Sequence, residues 1–227
     1  MLTVLERIRT LVSALTILLL AACGSAPQAA PATTIAAATL PGDWQRIDLP
    51  QMALALPPPW VVTAAEDIDP SAAVAEAAAQ NPQLAAALER GQIELASGQV
   101  QLIAYDLDPA NLTTTNYPTN IRVGRQTYPS EPTLQAVADA NEQDLRATTG
   151  ITDVQRAAVE ISGNAATRLT SKLQINDTIG NPLTLALEQY LLVNGKDVFI
   201  IVFTAPTDQQ ERYRTIFDQI LATLRFK

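Results

Sequence analysis

The stretch Leu183-Thr184-Leu185-Ala186-Leu187-Glu188-Gln189-Tyr190-Leu191-Leu192-Val193-Asn194-Gly195-Lys196-Asp197-Val198-Phe199-Ile200-Ile201-Val202-Phe203-Thr204 decides the fold. Two apolar runs, Leu183 to Val193 and Asp197 to Thr204, flank Asn194-Gly195. Asn-Gly between apolar strands favours a two-residue type I′ hairpin, whose two central residues both need positive φ. That turn sets Tyr190 opposite Phe199 and Glu188 opposite Ile201. Within the second run Phe199, Ile201 and Phe203 fall on one face and Val198, Ile200 and Val202 on the other. Both faces are apolar, so this strand needs cover on both sides, and helices are expected on each face of its sheet.

Working outward, Thr167, Leu169, Ser171, Leu173 and Ile175 alternate with Ala166, Arg168, Thr170, Lys172 and Gln174, a strand that packs on one side. Downstream, Tyr213, Ile216, Phe217, Ile220, Leu221 and Leu224 recur at spacings of three and four. They predict a terminal helix starting near Thr207 that docks its stripe on the sheet. Upstream, Glu131-Pro132 opens a helix to about Thr149, closed by Gly150. Gln99 to Leu107 and Asn120 to Gln126 read as strands joined by the polar loop Asp108 to Thr119. The alanine-rich stretch from Pro70 to Ala96 reads as two helices, capped by Asp69 or Ser71 and interrupted at Asn81-Pro82. Trp44 to Leu49 and Met52 to Leu56 read as two early strands, stopped by Pro57-Pro58-Pro59 before Trp60.

The N-terminus reads as an address. Arg7 and Arg9 precede the apolar run Leu11 to Leu20, about ten residues against the roughly 20 that span a bilayer, which is the pattern of a cleaved signal peptide. It ends in Leu20-Ala21-Ala22-Cys23-Gly24, which resembles a bacterial lipobox. The resemblance implies a leader over 1–22, diacylglyceryl attachment at Cys23, and membrane lipid as a partner through that cysteine. The competing reading of Cys23 is a small buried hydrophobe. Ser25 to Leu40 is almost entirely Ala, Pro, Thr, Gln and Ser, so residues 23–40 read as a lipidated cysteine and tether, with the domain over 41–227.

Composition removes more functions than it suggests. The 227 residues are 48% hydrophobic and 17% charged, which suits one globular domain. A formal charge of −8, from 15 basic against 23 acidic residues, disfavours nucleic acid. There is no histidine and one cysteine, which removes imidazole bases, histidine and thiolate metal sites and intramolecular disulfides. No Gly-x-x-x-x-Gly-Lys phosphate loop and no Gly-x-Ser-x-Gly elbow occurs. No cofactor, metal ligand or catalytic residue is therefore assigned.

Three constellations remain as candidates. Asp67-Ile68-Asp69 and Asp106-Leu107-Asp108 are acidic pairs that could ligate calcium, set against turn and cap carboxylates in water. Arg168 and Glu188 lie on strands expected to be adjacent, either as a perturbed carboxylate in a pocket or as a cross-strand ion pair on a wet face. The polar loop with Asn111, Thr113, Thr114, Thr115, Asn116 and Tyr117 is a candidate contact surface for a protein partner.

The order of these elements resembles the PsbP-like superfamily. The likeness is carried by Trp44 at an early strand, the corner from Leu56 to Trp60, the late hairpin, and the run from Phe199 through Ala205-Pro206 into a helix ending Leu224-Arg225-Phe226. It covers roughly 41–227 and implies an α+β domain: an antiparallel β-sheet flanked by helices on both faces, as an α/β/α sandwich. It carries over no residue role, and implies a non-enzymatic domain that docks on larger assemblies at a membrane. The expected function is thus an extracytoplasmic, membrane-anchored binding or assembly module. The alternative is an envelope small-ligand-binding protein or a carboxylate-dependent hydrolase, which needs a cleft holding a perturbed Asp or Glu. Replacing Cys23 by Ser is expected to move the protein from the membrane pellet to the soluble fraction; unchanged sedimentation with membranes would remove Cys23 as the anchor.

Overall fold

The central hairpin forms, with its turn displaced by one residue. β9 (Pro182–Asn194) pairs antiparallel with β10 (Asp197–Pro206), setting Tyr190 opposite Ile201, Leu192 opposite Phe199 and Glu188 opposite Phe203. Each partner lies two residues beyond the expected register, because Gly195 and Lys196 occupy the centre of the turn. Gly195 has φ +62° and Lys196 is not in the left-handed region, the pattern of a type II′ turn with glycine first. A shift of two keeps every side chain on its face.

The structure is a computed structural model that describes residues 32–40, 42–58, 60–65, 79, 91, 93–95, 98, 100–108, 117–176 and 180–227. The stretch read as a leader, Cys23 and most of the two helices read over 70–96 lie outside these residues. The remaining elements are β1 (Thr33–Ile35), β2 (Gln45–Asp48), β3 (Met52–Leu56), β4 (Trp60–Ala65), β5 (Val100–Asp106), β6 (Asn120–Thr127), α1 (Leu134–Ala147), β7 (Ile151–Ile161), β8 (Asn164–Asn176), α2 (Gln210–Ala222) and β11 (Arg225–Phe226). Eight strands form one sheet in the order β1-β7-β8-β9-β10-β6-β5-β4, and β11-β3-β2 form a second, three-stranded sheet. The β1–β7 pair is parallel; the other ladders are antiparallel.

Two buried clusters show how the sheet is covered. On one face Tyr190, Leu192, Phe199, Ile201 and Phe203 pack with Tyr213, Phe217, Ile220 and Leu221 of α2, and with Met52, Leu54 and Leu56 of β3. Part of the cover expected from helices is thus the small sheet, whose last strand follows directly from α2. On the other face Leu169, Leu191 and Val198 pack with Val137 and Ala138 of α1. Cover there is thinner than the apolar pattern predicts: Val198 is buried, but Ile200 and Val202 are only half-buried. The fold is therefore α+β and dominated by strands. β8 is also more enclosed than its alternation predicts, since Ala166 joins the first cluster and Leu169 the second.

Three elements were not announced by apolar pattern. β7 is interrupted by Asp153 at φ +55°, where its register with β8 shifts. Ser162 and Gly163, at φ +51° and +84°, make the β7–β8 turn, and both central residues are at positive φ as a type I′ turn requires. β11 is two residues long. β1 lies in the stretch read as tether: Thr33, Thr34 and Ile35 pair with Val159, Glu160 and Ile161. Tertiary pairing supplies there the order that local composition does not.

The Phe203 and Phe217 rings stack with centroids 4.2 Å apart and planes at 24°. Phe217→Ala is expected to destabilise the domain by about 3–5 kcal/mol, read from urea unfolding midpoints; a loss below about 1 kcal/mol would show that α2 is not seated as described.

Candidate functional site

The candidate contact loop springs from a buried polar network. β5 ends at Asp106 and β6 begins at Asn120, and the Asp106 N–H donates to the Thr119 carbonyl at 2.9 Å, closing the loop at its base. Asp106 is 3% exposed. Its carboxylate accepts the Tyr213 hydroxyl of α2 on one oxygen and the Asp108 N–H, at 3.0 Å, on the other. Burial, and then the hydrogen bond to Asp106, push Tyr213 ionisation far above the ordinary phenol range. Asn120 is fully enclosed; its amide donates to the Pro118 carbonyl at 3.1 Å and the Tyr117 hydroxyl at 3.4 Å, and its oxygen accepts Arg122 at 2.9 Å. Arg122 also pairs with Glu94 at 3.1 Å. Burial works against the Arg122 charge, but Tyr117, Tyr105 and Glu94 around it raise its pKa overall.

Asn111, Thr113, Thr114, Thr115 and Asn116 lie outside the described residues. Tyr117 is half-buried at the edge of the network. Asp67 and Asp69 also lie outside. Asp106 is a turn carboxylate, as its bond to the Asp108 N–H shows, but a buried one rather than one in water, with its other oxygen held by Tyr213 in the core. Among the described residues no group of three or more His, Cys, Asp or Glu side chains could hold a metal ion.

Arg168 and Glu188 lie on adjacent strands but not opposite each other. Arg168 faces Tyr190, and Glu188 faces Thr170. Glu188 is 1% exposed, so the wet-face ion pair is corrected: β9 is interior to the sheet, and its residue 188 points at the face that α2 covers. The Tyr190 hydroxyl donates to one Glu188 oxygen at 3.1 Å, and the other oxygen has no hydrogen-bond partner. Tyr190 ionisation is pushed far above its usual range by burial and then by Glu188. Half-buried Asp218 of α2 joins this cluster. Burial raises its pKa, Glu188 raises it further, and Arg168 and Arg214 pull it back. Pattern reading misses Asp218, although its position beside Phe217 on the docking stripe places it at the helix–sheet boundary.

A perturbed carboxylate is thus present, but its neighbour Glu188 is sealed in the core. A hollow of about 440 Å³ lies elsewhere, at the end of the β8–β9 hairpin where the two strands are joined, lined by Gln174, Ile175, Asn176, Pro182, Leu183 and Thr184, none of them ionisable. The two polar clusters are built to tie α2 to the sheet, at the end of β5 and at the middle of β9.

The architecture is the PsbP-like α+β fold. No family model matches the chain, and no curated protein matches it. Among solved structures it is similar to the solution structure of cyanobacterial PsbP, CyanoP, from Synechocystis, with a TM-score of 0.50 and 13% identity over 92% of this chain and 99% of that one. LpqN, involved in cell envelope biogenesis of Mycobacterium tuberculosis, gives a TM-score of 0.47 at 13% identity, covering 81% of this chain and 90% of its own. The Saccharomyces cerevisiae Ran-binding protein Mog1p gives 0.45 at 10% identity, covering 80% and 94%. At these identities the likeness is one of fold.

The raised pKa of Asp218 has a stability consequence of definite sign. Between the ordinary carboxylate pKa and the raised one, the folded chain holds more proton than the unfolded chain, so ionisation of Asp218 removes stability as pH rises through that window. Asp218→Asn is therefore expected to raise the melting temperature at pH 7, with the gain shrinking as pH falls through the raised pKa and gone once pH is below the ordinary carboxylate pKa of about 4. A variant less stable than the parent at pH 7 would show that Arg168 and Arg214 dominate instead.

Proposed function

We propose that this chain is a non-enzymatic, extracytoplasmic lipoprotein, anchored through acylated Cys23, whose domain over 41–227 is an accessory or assembly module for a protein complex at the membrane. In this reading residues 1–22 are removed. The helices read over 70–96 complete an α/β/α sandwich, a reading supported by helical Gly91, whose added Cβ would meet Ile103 at 3.2 Å.

One observation carries the proposal: the chain leading to Cys23 and the candidate contact loop attach to opposite ends of the same sheet. Thr33–Ile35 pairs with the last three residues of β7, beside the Ser162-Gly163 turn. The ladders carry that end through Asn164, Asn194, Asp197 and Thr127 to Val100. Asp106 and Asn120 therefore lie at the far end, and a domain tethered at one end can present the loop at the other. No helix among the described residues is long and apolar enough to cross a membrane, so in this reading the lipid is the attachment. Two acyl chains or more hold a protein durably, at about 0.8 kcal/mol per buried methylene.

The test is photo-crosslinking of the lipidated chain in its own envelope, with the reactive residue at Thr114 in the loop or at exposed Lys196 at the opposite end. A reproducible protein adduct from Thr114 and none from Lys196 is the expected result. Adducts from neither position would overturn the docking role.

A further inference from the structure

We propose that β1 is a reversible strap that gives the anchored domain two heights above the bilayer. The two heights rest on the reading of Cys23 as the anchor; the strap itself does not. Docked, it is held by its three-residue parallel ladder and by a few bonds beyond it. The Ser162 N–H donates to the Ile35 carbonyl at 2.9 Å, and the Ala38 N–H to the Ala222 carbonyl at 2.9 Å. Arg225 binds the Ala38 carbonyl at 3.0 Å while its other amino group reaches the Ser162 hydroxyl and the carbonyls of Ala222 and Leu224. The same guanidinium thus clamps strap, β7–β8 turn and helix end together.

The clamp is thin. Thr33, Thr34 and residues 36–40 are exposed, and Ile35 is only half-buried against the core. Each strap residue gives up backbone freedom for few bonds and little apolar burial. β8 and β9, by contrast, pair continuously from Ala166 opposite Leu192 to Asn176 opposite Pro182. Segments so sparsely held open without global unfolding.

Opening changes reach. With β1 docked, ten residue steps separate Cys23 from Thr33, a span of at most about 35 Å. Released back to exposed Gly42, two residues before Trp44 packs against the core, the chain has nineteen steps and a limit of about 65 Å.

Native-state hydrogen exchange on the full chain in detergent micelles tests the strap. The Ala38 and Ser162 amides are expected to exchange together, at least about tenfold faster than those of Tyr190 and Ile201. Arg225→Gln should quicken the first pair further and leave the second unchanged. Protection of Ala38 and Ser162 equal to that of Tyr190 would overturn the proposal. As a second arm, Thr34→Cys with Glu160→Cys, exposed partners in the ladder, allows a disulfide to hold the strap shut. On phosphatidylcholine bilayers, neutron reflectometry should find the oxidised form closer to the surface than the reduced form; equal heights would overturn the two-height reading. Fast exchange at Ala38 and Ser162 in a Cys23→Ser chain that no longer binds bilayers would support the strap while removing the anchor, so the two failures read separately.

Discussion

The seating of α2 on β10 is the constraint from which the other features take their positions. Phe217 stacks on Phe203 and on Tyr213, and Tyr213 meets the edge of Trp60 at 6.5 Å with planes at 75°. Large side chains buried in this way contribute about 1.5–3 kcal/mol each before ordering entropy is subtracted. Three remote pieces are then referenced to the helix. The Tyr213 hydroxyl fixes Asp106 and with it the end of β5. The Ala222 carbonyl receives the strap. Thr223, just past the helix, accepts the Ala55 N–H at 2.8 Å and donates to the Ile220 carbonyl at 2.6 Å, turning the chain so that Arg225 and Phe226 pair with β3.

Much of this was legible where burial and period coincide. Phe199, Ile201 and Phe203 alternate and are fully buried, and the helical stripe from Tyr213 to Leu224 faces the sheet as its spacing requires. Legibility fails where tertiary pairing overrides local pattern. Apolar alternation in β7 is broken by the bulge at Asp153, leaving the Ser162-Gly163 dipeptide as its clearest signal. The hairpin register moved because glycine, not asparagine, took the first central position. Nothing in a run of alanine, proline and threonine announces that Thr33–Ile35 will find β7, since the partner lies more than a hundred residues away.

The candidate sites show the same division. Sequence finds Glu188, Arg168 and Asp106 as chemically interesting, but not the tyrosines that satisfy them or the helix that buries them, because burial depends on where α2 lands. A charged residue on a strand reads as wet by default; Glu188 escapes that default because its strand is interior to the sheet. Removing water from a carboxylate is costly unless hydrogen bonds replace it. The replacement is complete at Asp106 and partial at Glu188, whose second oxygen is orphaned. Glu188 is therefore the point at which the helix–sheet contact is under electrostatic tension, with Asp218 across from it carrying the consequence.

Charge also bears on how such a domain would stand at a membrane. The whole chain carries −8, and loss of a leader holding Arg7 and Arg9 against Glu6 would leave the remainder more acidic still. Repulsion from anionic headgroups decays over a Debye length of about 8 Å at physiological salt. If Cys23 is the anchor, as proposed, a tether reaching about 35 Å would span several such lengths. Beyond the first of them electrostatics would have little hold on the height of the domain, and covalent reach would decide. Height would then be set by where the chain leaves the fold, at the thin clamp of Arg225, Ser162 and Ala222 around Thr33–Ala38.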